Sequence, residues 1–282
     1  MWSNFHMHSN YCDGKGELIE YVRAAKTLGM ESIGFSSHAP LPFACTWCMK
    51  AENFRNYQQS IETIKASVPG IEIYKGLEVD FIPGVIAPDQ FEGQLDYTIG
   101  SIHFVDSFPN GTHWEIDGLH TLFLDGLENI FHGDIQAAVS RYFDLTREMI
   151  REACPTILGH MDKIKIQNVG GKFFSEDDDW YRDEIEKTLT IISGNNVIVE
   201  VNTRGVYQNK SKTTYPSPWI LDLIHKRNIP ITLNSDAHHP SDIINQFPET
   251  VSMLSDIGFK YLTVLHEQTW KPFSFNSHGI IY

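Results

Sequence analysis

The stretch of residues 5–38 indicates the fold most directly, and its sequence is FHMHSNYCDGKGELIEYVRAAKTLGMESIGFSSH. Short apolar runs at its two ends each finish at a histidine, His8 and His38. Between them, apolar side chains recur at helical spacing, at Leu18, Val22, Ala25 and Leu28. Gly29 follows, where a helix end favours a residue that tolerates positive φ. The stretch therefore predicts a strand, a helix and a second strand.

The same alternation continues along the rest of the chain. Further strands are predicted at residues 71–81, 97–103, 156–160, 197–202, 229–234 and 261–265. Ser217-Pro218 is a typical helix start, with Ser as the N-cap and Pro at the first helical position. Strands that alternate with helices favour a parallel sheet covered by helices, so seven or eight such units predict a closed or distorted α/β barrel. An open, doubly wound sheet is the alternative.

One segment, residues 106–134, lacks clear periodicity and is rich in Gly, His and Asp. We predict a long loop or a small insertion over one end of the barrel, because structureless loops of this length in compact domains are usually functional or disordered. His113, His120 and His132 fall in this segment. They are interpreted as scattered surface histidines, with a substrate contact by one of them as the alternative. Residues 1–282 are expected to form a single domain.

Composition and charge exclude several classes of protein. The chain has 282 residues, with 22 Lys and Arg against 36 Asp and Glu, which gives a formal net charge of −14. This balance argues against long nucleic acid as a partner. No apolar run approaches the roughly 18 residues of a membrane helix, and no signal peptide is visible at the N-terminus. A cytoplasmic protein without a membrane partner is expected, and its oligomeric state is left open.

Cysteine usage agrees with a reducing compartment. The four cysteines are Cys12, Cys45, Cys48 and Cys154. Only Cys45 and Cys48 have the spacing of a metal or redox pair, and a zinc ribbon would need a second such pair. Two free, partly buried thiols are expected, with a thioredoxin-type site as the alternative.

Ionisable residues are concentrated where the predicted strands end. Histidines take this position repeatedly, at His6, His8, His38, His103 and His160. Glu78 and Asp80 end the third strand, and Asp236 and His238 follow a late one. In a parallel barrel all these strand ends meet at one face. A single histidine at a strand end is more often structural, but the repetition over successive strands predicts a shared site.

The residue types favour metal binding. Imidazole nitrogens and carboxylate oxygens are ligands for zinc, manganese or iron. Because about eight such ligands exceed the needs of one tetrahedral ion, two to three divalent transition-metal ions are expected. A carboxylate can join two cations, whereas an imidazole ring normally supplies one nitrogen to one metal, so Glu78 is the candidate bridge. Bound cations would also remove the repulsion between clustered carboxylates.

The motifs that carry these residues occur in a fixed order between residues 6 and 238. They are His6-Met-His8-Ser9 with Asp13-Gly14, Ser37-His38, Gly76-Leu-Glu78-Val-Asp80, Gly100-Ser101-Ile-His103, Gly159-His160-Met-Asp162 and Ser235-Asp236-Ala-His238. Together they resemble the PHP (polymerase and histidinol phosphatase) superfamily. The run Glu200-Val-Asn202-Thr203-Arg204-Gly205, followed by Tyr215-Pro216-Ser217, is similar to the histidinol-phosphatase branch.

The resemblance implies a distorted (β/α)7 TIM-like barrel with a trinuclear metal centre at the C-terminal ends of the strands. The first metal would be held by His6, His8, Glu78 and Asp236. The second metal would be held by Glu78, His103 and His160. The third metal would be held by Asp13, His38 and His238. Asp13 departs from the family pattern, in which His is common at this position.

Residues beside the ligands have further expected roles. Arg204 would bind a phosphate through its planar donor groups, with a structural ion pair as the alternative. Together with Glu78 and Asp236 it makes up the expected catalytic set. Polar residues next to ligands would orient the imidazoles, and these are Asp80, Asp162 and Asn202. A solvated loop charge is the alternative for Asp80.

The resemblance implies metal-dependent hydrolysis of a small phosphomonoester, with L-histidinol phosphate of histidine biosynthesis as the expected substrate. Two cations would lower the pKa of a bridging water, and the resulting hydroxide would attack phosphorus. One alternative is a PHP-type phosphatase or phosphodiesterase that acts on another small phosphoester or nucleotide. An alternative of another class is a catalytically silent metal-binding module. The presence of a ligand at every motif argues against this last alternative.

Overall fold

The computed structural model describes residues 1–282. Its strands, in chain order, are β1 (Ser3–Asn4), β2 (Ser32–Phe35), β3 (Glu72–Asp80), β4 (Tyr97–Ser101), β5 (Phe104–Ser107), β6 (His113–Glu115), β7 (Ile157–Leu158), β8 (Ile198–Asn202), β9 (Ile231–Asn234), β10 (Tyr261–His266), β11 (Thr269–Asn276) and β12 (Gly279–Ile280). Its helices are α1 (Leu18–Thr27), α2 (Phe54–Ser67), α3 (His120–Phe131), α4 (Ile135–Glu152), α5 (Asp179–Ser193), α6 (Arg204–Tyr207), α7 (Pro218–Lys226) and α8 (Phe247–Ile257). None of these helices is long and apolar enough to cross a membrane.

Seven strands form one parallel sheet in the order β1-β2-β3-β4-β7-β8-β9. Strands β2, β8 and β9 are buried along their whole length. This is the pattern of a parallel sheet whose outer face is covered by helices and whose inner face encloses the core. The predicted distorted (β/α)7 TIM-like barrel is confirmed.

The barrel closes along a seam between the first and last parallel strands. Met7 and Ala237 form an isolated parallel bridge at this seam. The His8 amide donates to the Ala237 carbonyl at 2.8 Å, and the Ala237 amide donates to the His6 carbonyl at 3.1 Å. At the same seam, the Asn4 side chain donates to Ser235 Oγ at 2.7 Å. The seam therefore joins two segments that both carry predicted metal ligands.

The interior below the strand ends is filled by Tyr97. Its hydroxyl donates to the Phe5 carbonyl at 2.6 Å and lies 3.1 Å from the Phe35 carbonyl. Gly34 and Gly76 leave the space for this ring, because a Cβ atom at either position would overlap it. The packed ring fills the barrel interior, so the polar side chains lie at the C-terminal end of the barrel.

Residues 106–134 carry regular structure, so the long loop that the sequence predicts as one option is wrong for most of this segment. The strands β5 and β6 pair as a hairpin, and α3 follows it. In α3 the buried residues include Phe123, Gly126 and Leu127. Gly126 lies against the indole of Trp114, where a Cβ atom would overlap the ring. A glycine in mid-helix obscures the helical pattern in the sequence, although the packing requires it.

The predicted strand at 261–265 is not part of the barrel. This segment lies in β10, which pairs antiparallel with β11 in a separate three-stranded sheet, with β12 at its edge. Trp270 of β11 packs edge to face on Phe5, at a centroid distance of 5.0 Å. The C-terminal sheet therefore covers the N-terminal end of the barrel, away from the strand ends that carry the histidines.

Candidate metal centre

All nine side chains that the sequence predicts as metal ligands lie at the C-terminal end of the barrel. Two segments carry two or more of them, the segment after β1 and the segment after β9, and the others lie one each at or just after the ends of β2, β3, β4 and β7. Seven of the nine are buried, and His238 and Asp13 are partly exposed. These nine are His6, His8, Asp13, His38, Glu78, His103, His160, Asp236 and His238.

Glu78 is at the centre of this group. Its Oε2 atom lies 3.2 Å from His6 Nε2 and 3.3 Å from His8 Nε2. Its Oε1 atom lies 2.9 Å from His160 Nε2 and 3.6 Å from His103 Nε2. The two carboxylate oxygens thus face different sets of imidazoles, which is the arrangement expected of a bridging ligand.

Three overlapping groups of potential ligand atoms, each within 4.8 Å of one another, surround Glu78. The first comprises His6, His8 and Asp236, the second His38, Glu78 and His103, and the third His8, Asp13, His38 and His238. These groups follow the division that the resemblance implies, with three differences. His8 and His38 each belong to two groups, and His160 contacts Glu78 without completing a group. Glu78 belongs to the second group but not to the first, although its Oε2 atom contacts His6 and His8 of that group.

Several buried atoms in this cluster have no hydrogen-bond partner. They are His6 Nε2, His8 Nε2, His38 Nδ1 and Asp13 Oδ1. Such atoms are costly to bury unless something binds them. Imidazole nitrogens and carboxylate oxygens that point at one another without hydrogen-bond geometry are a donor set that suits a transition-metal cation. The residues present therefore fit the metal group that the sequence predicts.

In two of the imidazoles, the nitrogen that faces away from Glu78 contacts a further carboxylate. His6 Nδ1 lies 2.6 Å from Glu200 Oε1, and His103 Nδ1 lies 3.0 Å from Asp80 Oδ1. Such contacts fix the ring orientation and leave the opposite nitrogen free for a metal. Glu200 has this position although the sequence indicates only that it belongs to a motif. Asp162 instead binds Lys165 and the Ser217 amide, so its predicted role in orienting an imidazole is wrong.

Burial and charge shift the pKa values of these groups in opposite directions. Burial lowers the pKa of His38 to about 3, despite the nearby Glu78 charge. Burial and Lys163 also act to lower the pKa of His103, but Asp80 and Asp117 raise it to about 9. Burial opposes ionisation of Glu78, yet the surrounding histidines hold its pKa well below the usual value. The central carboxylate is therefore charged, as a metal ligand must be.

A cavity of about 180 Å³, here called the central cavity, opens beside these ligands. In addition to predicted ligands it is lined by Trp47, Glu115, Asp117, Lys163, Arg204 and Lys210. Three of these are cations in a chain of net charge −14. Lys163, Arg204 and Lys210 offer N–H donors to a small anion, beside the four carboxylates that also line the cavity.

Arg204 reaches this cavity from α6, directly after β8. Its Nη1 atom donates to the Asp236 carbonyl at 2.8 Å, lies 3.3 Å from Asp236 Oδ1, and contacts His238 Nδ1. The ion pair given as the alternative for Arg204 is therefore present, and Arg204 also lines the cavity, while its contact with a phosphate stays a prediction.

Several lining residues were not predicted from the sequence. Lys163 is buried between Asp117, at 2.8 Å, and His103 Nε2, at 3.1 Å. Glu115, in β6, and Trp47, in the loop between β2 and α2, also line the cavity. The only sequence signal for Lys163 is its place three residues after His160, and Glu115 and Asp117 have no signal beyond their charge.

The cysteine pair near the cavity differs from the expectation of two free thiols. Cys45 and Cys48 form a disulfide, with Cα atoms 5.5 Å apart, a separation typical of such bonds. The turn that brings them together places Trp47 against His38, at a centroid distance of 4.5 Å. Trp47 therefore covers one side of the metal cluster.

Comparisons with known proteins agree with this geometry. The PHP domain family model matches residues 4–204. A relative from Deinococcus radiodurans, assigned as a histidinol-phosphatase, is 27% identical over 273 residues, which cover 93% of this chain and 96% of the relative.

Two crystal structures share the fold. A Listeria monocytogenes protein, assigned as the histidinol phosphatase HisK, superposes with a TM-score of 0.75 at 22% identity, over 88% of this chain and 99% of that one. Histidinol phosphate phosphatase from Lactococcus lactis, complexed with zinc, L-histidinol and phosphate, gives a TM-score of 0.66 at 18% identity, over 100% of this chain and 99% of that one. Because the family model covers well over half of the 282 residues, this chain belongs to the PHP domain family.

Proposed function

We propose that this chain is a metal-dependent phosphomonoester hydrolase and that its substrate is L-histidinol phosphate. The observation that carries the proposal is the convergence of eight other potential metal ligands around Glu78, beside a cavity lined by Arg204, Lys163 and Lys210. The names of relatives that match nearly the whole chain support the choice of substrate. The proposal takes residues 1–282 as one functional unit in the cytoplasm, with the 106–134 insertion over the barrel mouth.

Three sets of ligands belong to the proposal. His6, His8, Glu78 and Asp236 would hold the first metal, Glu78, His103 and His160 the second, and Asp13, His38 and His238 the third. Two to three zinc, manganese or iron ions are expected. When bound, such ions supply positive charge and a water of lowered pKa, which phosphoester hydrolysis needs.

The chain's own residues position the ester. Arg204 presents the free side of its guanidinium to the cavity, where it can donate two parallel hydrogen bonds to phosphoryl oxygens. Lys163 and Lys210 add positive charge to the same cavity. Asp236 holds Arg204 in place and, with Glu78, supplies the negative charge that retains the cations. Positioning and electrostatic stabilisation therefore account for the chemistry, without a nucleophilic side chain.

Substrate profiling tests the proposal. We expect kcat/KM for L-histidinol phosphate to exceed that for a simple alkyl phosphate and for a nucleoside monophosphate by at least about 100-fold, because buried polar groups that recognise a substrate reject compounds that leave them unpaired. Elemental analysis of the same preparation should find two to three transition-metal ions per chain. Equal values for the three esters would refute the assignment of substrate, and a single, closed tetrahedral ion would refute the catalytic assignment.

A further inference from the structure

Four carboxylates line the central cavity, and Glu115 differs from the other three. Asp13 lies 3.1 Å from His238 Nε2, Asp117 lies 2.8 Å from Lys163 Nζ, and Asp236 lies 3.3 Å from Arg204 Nη1. No Lys, Arg or His nitrogen lies within 4.0 Å of the Glu115 carboxylate. A half-buried carboxylate on a cavity wall without a cation is able to bind one from outside.

The backbone holds Glu115 at a defined place beside the metal ligands. It is the last residue of β6 and is paired with Phe104 of β5. The next amide, that of Ile116, donates to the carbonyl of His103 at 3.0 Å. The carboxylate therefore projects from a strand that is bonded directly to a predicted ligand, and its position does not depend on a free loop.

Glu115 also stands at the junction of two cavities. A second cavity of about 610 Å³, here called the aromatic cavity, shares Glu115 and Trp47 with the central cavity. Its wall includes Phe43 and Phe104, and the Trp47 and Phe104 rings stack at 5.7 Å with an interplanar angle of 13°. Flat aromatic walls of this kind suit a planar ring.

The phosphate, ammonium and imidazole groups of the proposed substrate occur in the same order as Arg204, Glu115 and the aromatic cavity. In L-histidinol phosphate the ammonium group is on the carbon next to the phosphorylated methylene, and the imidazole is one methylene farther away. With the phosphate beside Arg204, the ammonium falls toward the junction, and the imidazole falls toward the aromatic cavity. The order of charge and shape along the two cavities thus matches the order of groups in the ester.

We propose that Glu115 is a specificity-determining residue that binds the ammonium group of the substrate, with the adjoining aromatic cavity receiving its imidazole. This inference rests on the proposed function and adds to it the residue that selects an amino alcohol phosphate. Without the ammonium the Glu115 carboxylate has no ionic partner, so esters that lack the amine are disfavoured.

The test compares two esters on three forms of the full-length, metal-loaded protein. The esters are L-histidinol phosphate and imidazolylpropyl phosphate, which lacks only the amine. The proteins are the wild type, Glu115→Gln, and Glu128→Gln as a matched control on the exposed face of α3. The wild type and the control should prefer the amine-bearing ester. In Glu115→Gln the ratio of the two kcat/KM values should fall about 10- to 100-fold, as expected for the loss of a charge-assisted hydrogen bond.

The possible outcomes separate this inference from the function on which it rests. Metal content and thermal midpoint are measured for each variant, so that a merely structural effect is recognised by parallel losses for both esters. Such parallel losses, or an unchanged ratio in Glu115→Gln, would overturn the role of Glu115 while leaving the phosphatase standing. If the wild type cleaves L-histidinol phosphate no better than a simple alkyl phosphate, the proposed function fails, and this inference fails with it.

Discussion

His6 and Glu200 form a 2.6 Å contact between Nδ1 and Oε1, and both side chains are fully buried. The same carboxylate accepts from the His160 amide at 2.9 Å and from the side chains of Asn202 and Asn234 at 3.0 Å each. Glu200 thus accepts from four donors, and its contact with His6 Nδ1 turns Nε2 of the same ring toward Glu78, where a metal would bind. The pKa of Glu200 is lowered by His6 although burial opposes this.

The first prediction follows from these four donors. Glu200→Gln keeps the shape of the side chain but places an amide nitrogen against N–H groups. We expect metal affinity to fall about 10- to 100-fold and the free energy of unfolding to fall by about 1–3 kcal/mol. Calorimetric metal titration and urea unfolding provide the measurements. Glu152→Gln, an exposed substitution at the end of α4, is the control, and metal affinity equal to the control would contradict the role of Glu200.

The second prediction concerns Glu78, whose two oxygens face different imidazoles. Glu78→Gln removes the charge that two cations would share. Activity should fall by several orders of magnitude, on the order of 10³-fold or more, since two cations lose their common ligand. At least one metal should be lost per chain, as measured by elemental analysis. Near-normal turnover with full metal content would show that Glu78 is not the bridge.

The third prediction separates the two descriptions of Arg204. Arg204→Lys preserves the positive charge beside Asp236 but cannot reproduce two parallel hydrogen bonds to a phosphate. We expect kcat/KM to fall about 10- to 100-fold, by a similar factor for L-histidinol phosphate, a simple alkyl phosphate and a nucleoside monophosphate, because all three share the phosphoryl group. The thermal midpoint should change little. A loss of stability without a loss of kcat/KM would instead indicate a purely structural ion pair.

The fourth prediction concerns removal of metal. Without metal, the ligands on both sides of the seam form a cluster of carboxylates and imidazoles with no bound cation. The free energy of unfolding should then be lower by about 4 kcal/mol than for protein in a free metal concentration of 1,000 times the dissociation constant. Hydrogen exchange should become faster at the His8 and Ala237 amides, which close the seam. The amides of α5, on the outside of the barrel, serve as the internal control. Equal acceleration in α5 would mean global loosening rather than opening of the seam.

The sequence predicted the barrel and the ligand positions for a physical reason. Strand ends follow from local apolar runs, and in a parallel barrel every such end is carried to one face, so His8, Glu78 and Asp236 could be placed together without knowledge of any long-range contact. The predicted strand at 261–265 is present as part of β10, but its expected place in the barrel was wrong, because an apolar run does not specify its partner. The pairing of β10 with β11 depends on the hairpin that follows it.

The cavity-lining residues outside the predicted ligand set could not be predicted in this way. Glu115, Asp117 and Lys163 come from a hairpin, a turn and a short helical turn, whose positions depend on how the insertion packs on the barrel. Gly126 is the clearest example, since its place in α3 is explained only by the Trp114 ring that lies against it. A sequence pattern shows the glycine but not the tryptophan ring that makes a glycine necessary there.

The seam between Met7 and Ala237 also determines when, during synthesis of the chain, the proposed metal site can be completed. His6 and His8 are synthesised about 230 residues before Asp236 and His238. The two halves of the proposed first metal site meet only when the last barrel strand has paired across the seam. Until then, the nascent chain exposes histidines and Glu78 that bind a metal only weakly and in no fixed arrangement. We therefore expect the proposed first metal site to be loaded late in maturation, and we expect chains that end before Asp236 to lack a complete site.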